Sequence, residues 1–133
     1  MRIGIYNRRQ TPKLPSLEWL MQHNFDSYDI YDDEVLIEFD DITEREGFNM
    51  MIYDASNQHL DAIYVHDLQV FSNITVKVLQ ALIEIQKLNL PVYYHQGCIY
   101  PSDTAIKAFQ DQMLDRWERI KKEANKLDLP DLD

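Results

Sequence analysis

One cysteine, three glycines and five prolines are all that 133 residues offer of the types that cross-link, loosen or interrupt a chain. A lone Cys98 rules out an internal disulfide and suits a reducing compartment. So little glycine and proline, beside an apolar content of 45%, excludes fibrous or disordered sequence and predicts a single ordinary domain. No apolar run approaches the roughly 18 residues a membrane span needs, and the apolar stretch at Met1 is too short for a signal peptide, so a cytoplasmic protein without membrane contact is expected. Positive charge is scarce as well. Thirteen Lys and Arg stand against 23 Asp and Glu, a net of -10, and between Ser16 and Asp67 there are 14 acidic residues and one basic residue, Arg45. A chain that neutralises phosphates needs clustered Lys and Arg, so autonomous nucleic-acid binding is not expected.

The hydrophobic pattern alternates strands with helices. Ile3 and Ile5 alternate with small or polar neighbours and predict a first strand, ended by Pro12 and Pro15. Ser16 is placed to cap a short helix over 17–23, and residues 28–31 predict a second strand with 35–39 as an extended continuation. Thr43 with Glu46 has capping-box spacing ahead of a helix carrying Phe48, Met51, Ile52 and Ala55. The unbroken run Ala62, Ile63, Tyr64, Val65 predicts a central strand covered on both faces. Ser72 or Asn73 is placed to cap a helix over 74–88, Asn89 and Pro91 break it, and 92–94 forms the next strand with Gly97 at its exit turn. Strand, helix, strand with short links is the right-handed crossover of a parallel sheet, so the fold class is α/β.

The C-terminal segment has a different period. Ile106, Met113, Ile120 and Leu127 are spaced by seven, with Phe109, Trp117 and Ala124 between them. A helix over 103–127 would reach about 35 Å, longer than a small domain can cover, so this seam is an expected homodimer or higher homo-oligomer interface. Residues 1–102 then form the α/β domain and 128–133 an acidic tail.

Several strings, in order, carry a family likeness: the opening Met-Arg-Ile-Gly-Ile with Tyr6-Asn7-Arg8; Arg45-Glu46-Gly47-Phe48 at a helix start; Asp61 through Leu68 as the central strand; 79–93 as helix and strand; and Glu118-Arg119 in the long helix. The chain resembles the N-terminal catalytic domain of serine recombinases of the resolvase/invertase family over nearly its whole length. The resemblance implies a three-layer fold with a mainly parallel central sheet flanked by helices and a long, dimerising C-terminal helix. In that family a Tyr-x-Arg-x-Ser string supplies the serine that attacks a DNA phosphodiester. Here Arg8 is kept and the nucleophile position is Gln10, whose amide nitrogen has no lone pair available for attack on phosphorus. The family's Leu-Asp-Arg-Leu-x-Arg string corresponds to Leu68-Gln69-Val70-Phe71-Ser72-Asn73, so its acid and both guanidinium groups are replaced by Gln69, Val70 and Asn73. Phosphoryl transfer depends on positioning and cationic stabilisation, so the expectation is a catalytically inactive, self-associating interaction or regulatory module. Its partner would be a protein in DNA transactions such as recombination or mobile-element biology.

The alternative is an enzyme or a small-ligand or phosphate-binding protein on the same scaffold, with a pocket rebuilt from Arg8, Arg45, His66, Asp67 and His95 at the carboxyl edge of the sheet. His95 and Cys98 have a spacing that could reach one metal, but a single such pair is a weak signal. No metal and no cofactor are expected. Cys98 has no base partner beyond His95, and the tyrosines lie among carboxylates, which favours packing over base stacking.

Overall fold

The computed structural model describes residues 1–8, 13–34 and 40–100, together with 107, 111, 115, 116, 118, 119 and 122. Two compact units emerge, Met1–Ser102 and Asp103–Asp133. In the first, the elements follow in the order β1 (Arg2–Arg8), α1 (Leu17–Gln22), β2 (Ser27–Asp33), a 3-10 turn Ile42–Glu44, α2 (Glu46–Ser56), β3 (Ala62–Tyr64), a second 3-10 turn Leu68–Val70, α3 (Thr75–Gln86), β4 (Val92–Tyr94) and β5 (Gly97–Ile99).

The sheet runs β2-β1-β3-β4-β5, parallel except for β5, which pairs antiparallel with β4. Gly97 therefore opens a strand as well as following a turn. The two-residue link His95–Gln96 is too short for a crossover and can only reverse the chain. β3 lies in the middle of the sheet, where its apolar run places it, and Ala62, Ile63 and Tyr64 are all buried. Order reverses at β1: the chain leaves it for β2 on one side and reaches β3 on the other, so the carboxyl ends of β1 and β3 flank the crevice typical of such sheets.

Strand alternation divides the core. On one side Ile3 and Ile5 of β1 pack with Ala62, Tyr64 and, from α1 and its exit, Leu20 and Phe25. On the other, Tyr6 joins Phe48, Met51 and Ala55 of α2 and Ala81, Leu82 and Ile85 of α3. The helix starts differ from the sequence expectation. Thr43 does not cap α2; Asp41 accepts from the Thr43 backbone N–H at 2.9 Å and closes the 3-10 turn instead. Asn73 and Ser72 do not cap α3, whose N-cap is Ile74; Ser72 lies two residues before that cap, and its hydroxyl accepts from Ile74 N–H at 3.0 Å. Ser16 does cap α1 by accepting from Trp19 N–H at 3.1 Å.

In the second unit the described residues are helical and exposed, and Arg119 bridges Asp115 one turn earlier at 2.5 Å. The seam positions Ile106, Phe109, Met113, Trp117, Ile120, Ala124 and Leu127 lie outside the described residues, as do Gln10, the strand expected over 35–39 and the tail 128–133. No helix among the described residues is long and apolar enough to cross a membrane.

Candidate functional site

β1 delivers Tyr6 and Arg8 to the same face because they are two residues apart in a strand. Tyr6 is buried between Phe71, stacked at 5.6 Å between ring centroids, and Phe48, edge-on at 5.8 Å. Its hydroxyl donates to Asp33 Oδ2 at 2.7 Å and accepts from Arg45 Nη1 at 3.3 Å. Burial raises the phenol pKa above its ordinary value, the Arg45 hydrogen bond opposes that, and the bond to Asp33 adds to it.

Arg45, the N-cap of α2, makes no side-chain cap hydrogen bond, and Asp33, the last residue of β2, supplies one instead. It accepts from Gly47 N–H at 2.7 Å on Oδ1 and from Phe48 N–H at 2.9 Å on Oδ2, so a carboxylate from another strand caps the helix. That closeness explains Gly47. A Cβ there would lie 2.6 Å from the Asp32 carbonyl oxygen and 2.9 Å from Asp33 Oδ2.

Arg45 stands immediately before α2, and its guanidinium is nearly saturated by protein acceptors. Nε and Nη2 donate to Asp40 at 2.7 and 2.9 Å, a bidentate pair, while Nη1 donates to Phe71 O at 2.6 Å as well as to Tyr6. Burial disfavours the charge, but the hydrogen bonds to Asp40 and Tyr6 outweigh it and raise the pKa, while the same pair holds Asp40 below the usual carboxylate range. Arg8, also buried, donates through Nε to Val70 O at 2.9 Å and through Nη2 to Gln69 O at 3.3 Å. Three successive main-chain carbonyls, 69 to 71, are thus held by the two arginines.

Gln69 and Asn73 are exposed and Val70 packs against the core. Asp67 caps the 3-10 turn by accepting from Gln69 N–H at 2.9 Å. His66 and His95 stack with centroids 5.1 Å apart, and both the backbone N–H and Nδ1 of His95 meet His66 O, at 3.2 and 2.5 Å. So Arg8 and Arg45 converge on one loop, and His66 and His95 on each other. Cys98 is half-buried, and burial raises its thiol pKa, the reverse of what a nucleophile needs. The sequence pointed to Tyr6 only as part of the family string and missed Asp33 and Asp40; the three build the network around Arg45. A cleft of about 440 Å³ beside them is lined by Asp33, Glu34, Asp40, Asp41, Glu44, Arg45 and Glu46. With six carboxylates to one guanidinium it repels phosphate. Among the described residues no group of three or more His, Cys, Asp or Glu could hold a metal ion.

No protein-family model and no curated protein matches the sequence. Solved structures do resemble the fold. The N-terminal catalytic domain of TP901-1 integrase aligns with a TM-score of 0.62 at 18% identity, over 92% of this chain and 98% of that one. A resolvase family site-specific recombinase from Streptococcus pneumoniae aligns with a TM-score of 0.64 at 16% identity, over 95% and 94%. The fold is that of a resolvase-like catalytic domain.

Proposed function

We propose that this chain is a catalytically inactive relative of the recombinase catalytic domain, retained as a self-associating interaction or regulatory module in DNA transactions. The observation that carries this reading is the use made of the two matching arginines. Arg8 and Arg45 give hydrogen bonds to the carbonyls of 69, 70 and 71, and Arg45 is further neutralised by Asp40, so the groups that would meet phosphate brace a loop instead. Gln10 at the nucleophile position and Gln69, Val70 and Asn73 in place of an acid and two arginines support the same reading. So does the 14-to-one excess of acidic over basic residues across 16–67.

The test is incubation of the purified chain with supercoiled DNA under recombinase conditions. No nicking and no protein-linked DNA is the expected result, and a covalent adduct overturns the inactive reading. Self-association is read separately by light scattering on the full chain: a dimer or larger assembly is expected, lost on truncation after Ser102, and a monomeric full chain overturns it.

A further inference from the structure

The two faces of the sheet are covered unequally. Among the described residues of the first unit, α2 and α3 cover one, whereas α1, six residues long, is the helix on the other. Its inward side packs Leu20, with Trp19 against Tyr64 and Tyr93. Its outward side leaves Leu17 and Met21, one turn apart, 73% and 68% exposed. The register Ile3↔Tyr28 and Ile5↔Ile30 puts Tyr28 and Ile30 of the edge strand on this same face, where they are 42% and 44% exposed. Leu14, leading into α1, is exposed too. On the opposite side the exposed apolar residues among those described are fewer: Met50 and Tyr53 on α2 and Val76 on α3.

Charge says what such a surface accepts. Residues 1–102 carry 15 carboxylates and seven Lys and Arg, a net of -8. Glu18 is exposed on α1 and Asp32 shares the Tyr28 and Ile30 face, while Asp26, at the entry to β2, pairs with the N-terminal ammonium at 3.2 Å. Between Ser16 and Asp67 the sole cation, Arg45, is buried. Nucleic acid and anionic membrane are repelled by such a field, whereas a segment with an apolar stripe and Lys or Arg flanks matches both properties.

We infer that the α1 side of the sheet, centred on Leu17, Met21, Tyr28 and Ile30, docks a cationic amphipathic helix of a partner protein. The inference rests on the interaction-module reading and gives that module its surface and the chemistry of its partner.

The test titrates the full 15N-labelled chain with a synthetic amphipathic helix of Leu and Lys, beside two controls in which Glu replaces Lys or Ser replaces Leu. Saturable amide shifts confined to 14–32 with the Leu/Lys peptide alone are expected. The doubly substituted L17S/M21S chain should melt as the parent does, since both side chains are exposed, and bind at least about tenfold more weakly. Raising the salt should weaken parental binding. Absence of shifts, shifts centred elsewhere, equal binding of the Glu peptide, or unchanged affinity of L17S/M21S overturns the inference. So does a dimer, without peptide, that L17S/M21S dissolves, because the occupant is then a second copy. DNA cleavage by the chain would remove the inactive reading and leave these shifts standing. A chain that neither cleaves nor shows the shifts would do the reverse.

Discussion

Arg45 and Asp40 meet through two parallel hydrogen bonds, Nε to Oδ2 at 2.7 Å and Nη2 to Oδ1 at 2.9 Å, with the Arg45 side chain only 1% exposed. Asp40 is held from α3 as well, where Lys77 Nζ donates to its carbonyl. Removing the guanidinium leaves Asp40, Phe71 O and the Tyr6 hydroxyl without their donor. Arg45→Gln should therefore cost about 3 kcal/mol of stability, as breaking one side of a buried pair does. Urea denaturation checks it; a loss below about 1 kcal/mol would mean the network is dispensable.

The same pair sets an acid dependence. Arg45 lowers the Asp40 pKa through its hydrogen bonds and then its charge, while burial pulls the other way. A carboxyl whose folded pKa lies below its unfolded one stabilises fully above the unfolded value, about 4, and loses that contribution as pH falls through the folded value. Asp40→Asn should thus be less stable than the parent by a constant amount between about pH 5 and 7, and the gap should close below about pH 4. Denaturation midpoints across that range decide it, and a gap that persists at the acid end refutes the assignment.

Gly47 is fixed by the approach of β2 to the start of α2. Gly47→Ala would gain helix propensity of about 1 kcal/mol in open solvent. Here the added methyl meets the Asp32 carbonyl at 2.6 Å, a backbone atom that cannot swing aside. A net loss of about 2 kcal/mol is expected, with faster amide exchange at the Gly47 and Phe48 N–H groups that Asp33 caps. A stabilised variant would show that the helix start can shift at little cost.

The fold was legible because it rests on short-range pattern. The apolar run 62–65, the periodic face of 74–88 and the breaker Asn89-Leu90-Pro91 each announce their element locally. What escaped was long-range. Asp33 caps a helix 14 residues downstream, so the local Thr43 and Glu46 spacing pointed at the wrong cap. Asp40 was inconspicuous as one of 14 carboxylates across 16–67, Tyr6 stood out only as part of a string, and only the folded backbone brings them to Arg45. β5 went unseen because three residues, Gly-Cys-Ile, carry almost no periodic signal. Sequence could align Arg8 and Arg45 with a catalytic pattern. That their donors turn toward carbonyls 69 to 71 is a property of three dimensions.

Gln58 is strained where Gly would relax. It follows the α2 C-cap Asn57 with φ at 63°, a left-handed conformation that Asn24 (φ 62°) and Asn89 (φ 58°), the corresponding residues near the ends of α1 and α3, adopt more readily. The residue is exposed. Gln58→Gly should raise stability by about 0.5–1 kcal/mol, which corresponds to a few degrees in the melting temperature of a domain this size. A melting temperature that falls would show that the glutamine side chain contributes more than the backbone strain costs.

Gln10→Ser places a hydroxyl where the proposed reading aligns this chain with a recombinase nucleophile, and under that reading it should still give no protein-linked DNA. A serine alone is a weak nucleophile, and transfer at phosphorus needs cations aimed at the equatorial oxygens. Arg45 is bound to Asp40, Tyr6 and Phe71 O, and Arg8 to the carbonyls of 69 and 70, so recruiting either guanidinium to phosphate would break bonds that hold the loop after β3. Val70 and Asn73 supply no replacement charge, and the acidic surface lowers the encounter rate with DNA besides. Denaturing gels of the variant with labelled supercoiled substrate read the outcome. A covalent band from Gln10→Ser alone would mean that the arginines can leave their carbonyls at small cost, and the loop-bracing role assigned to them would have to be given up.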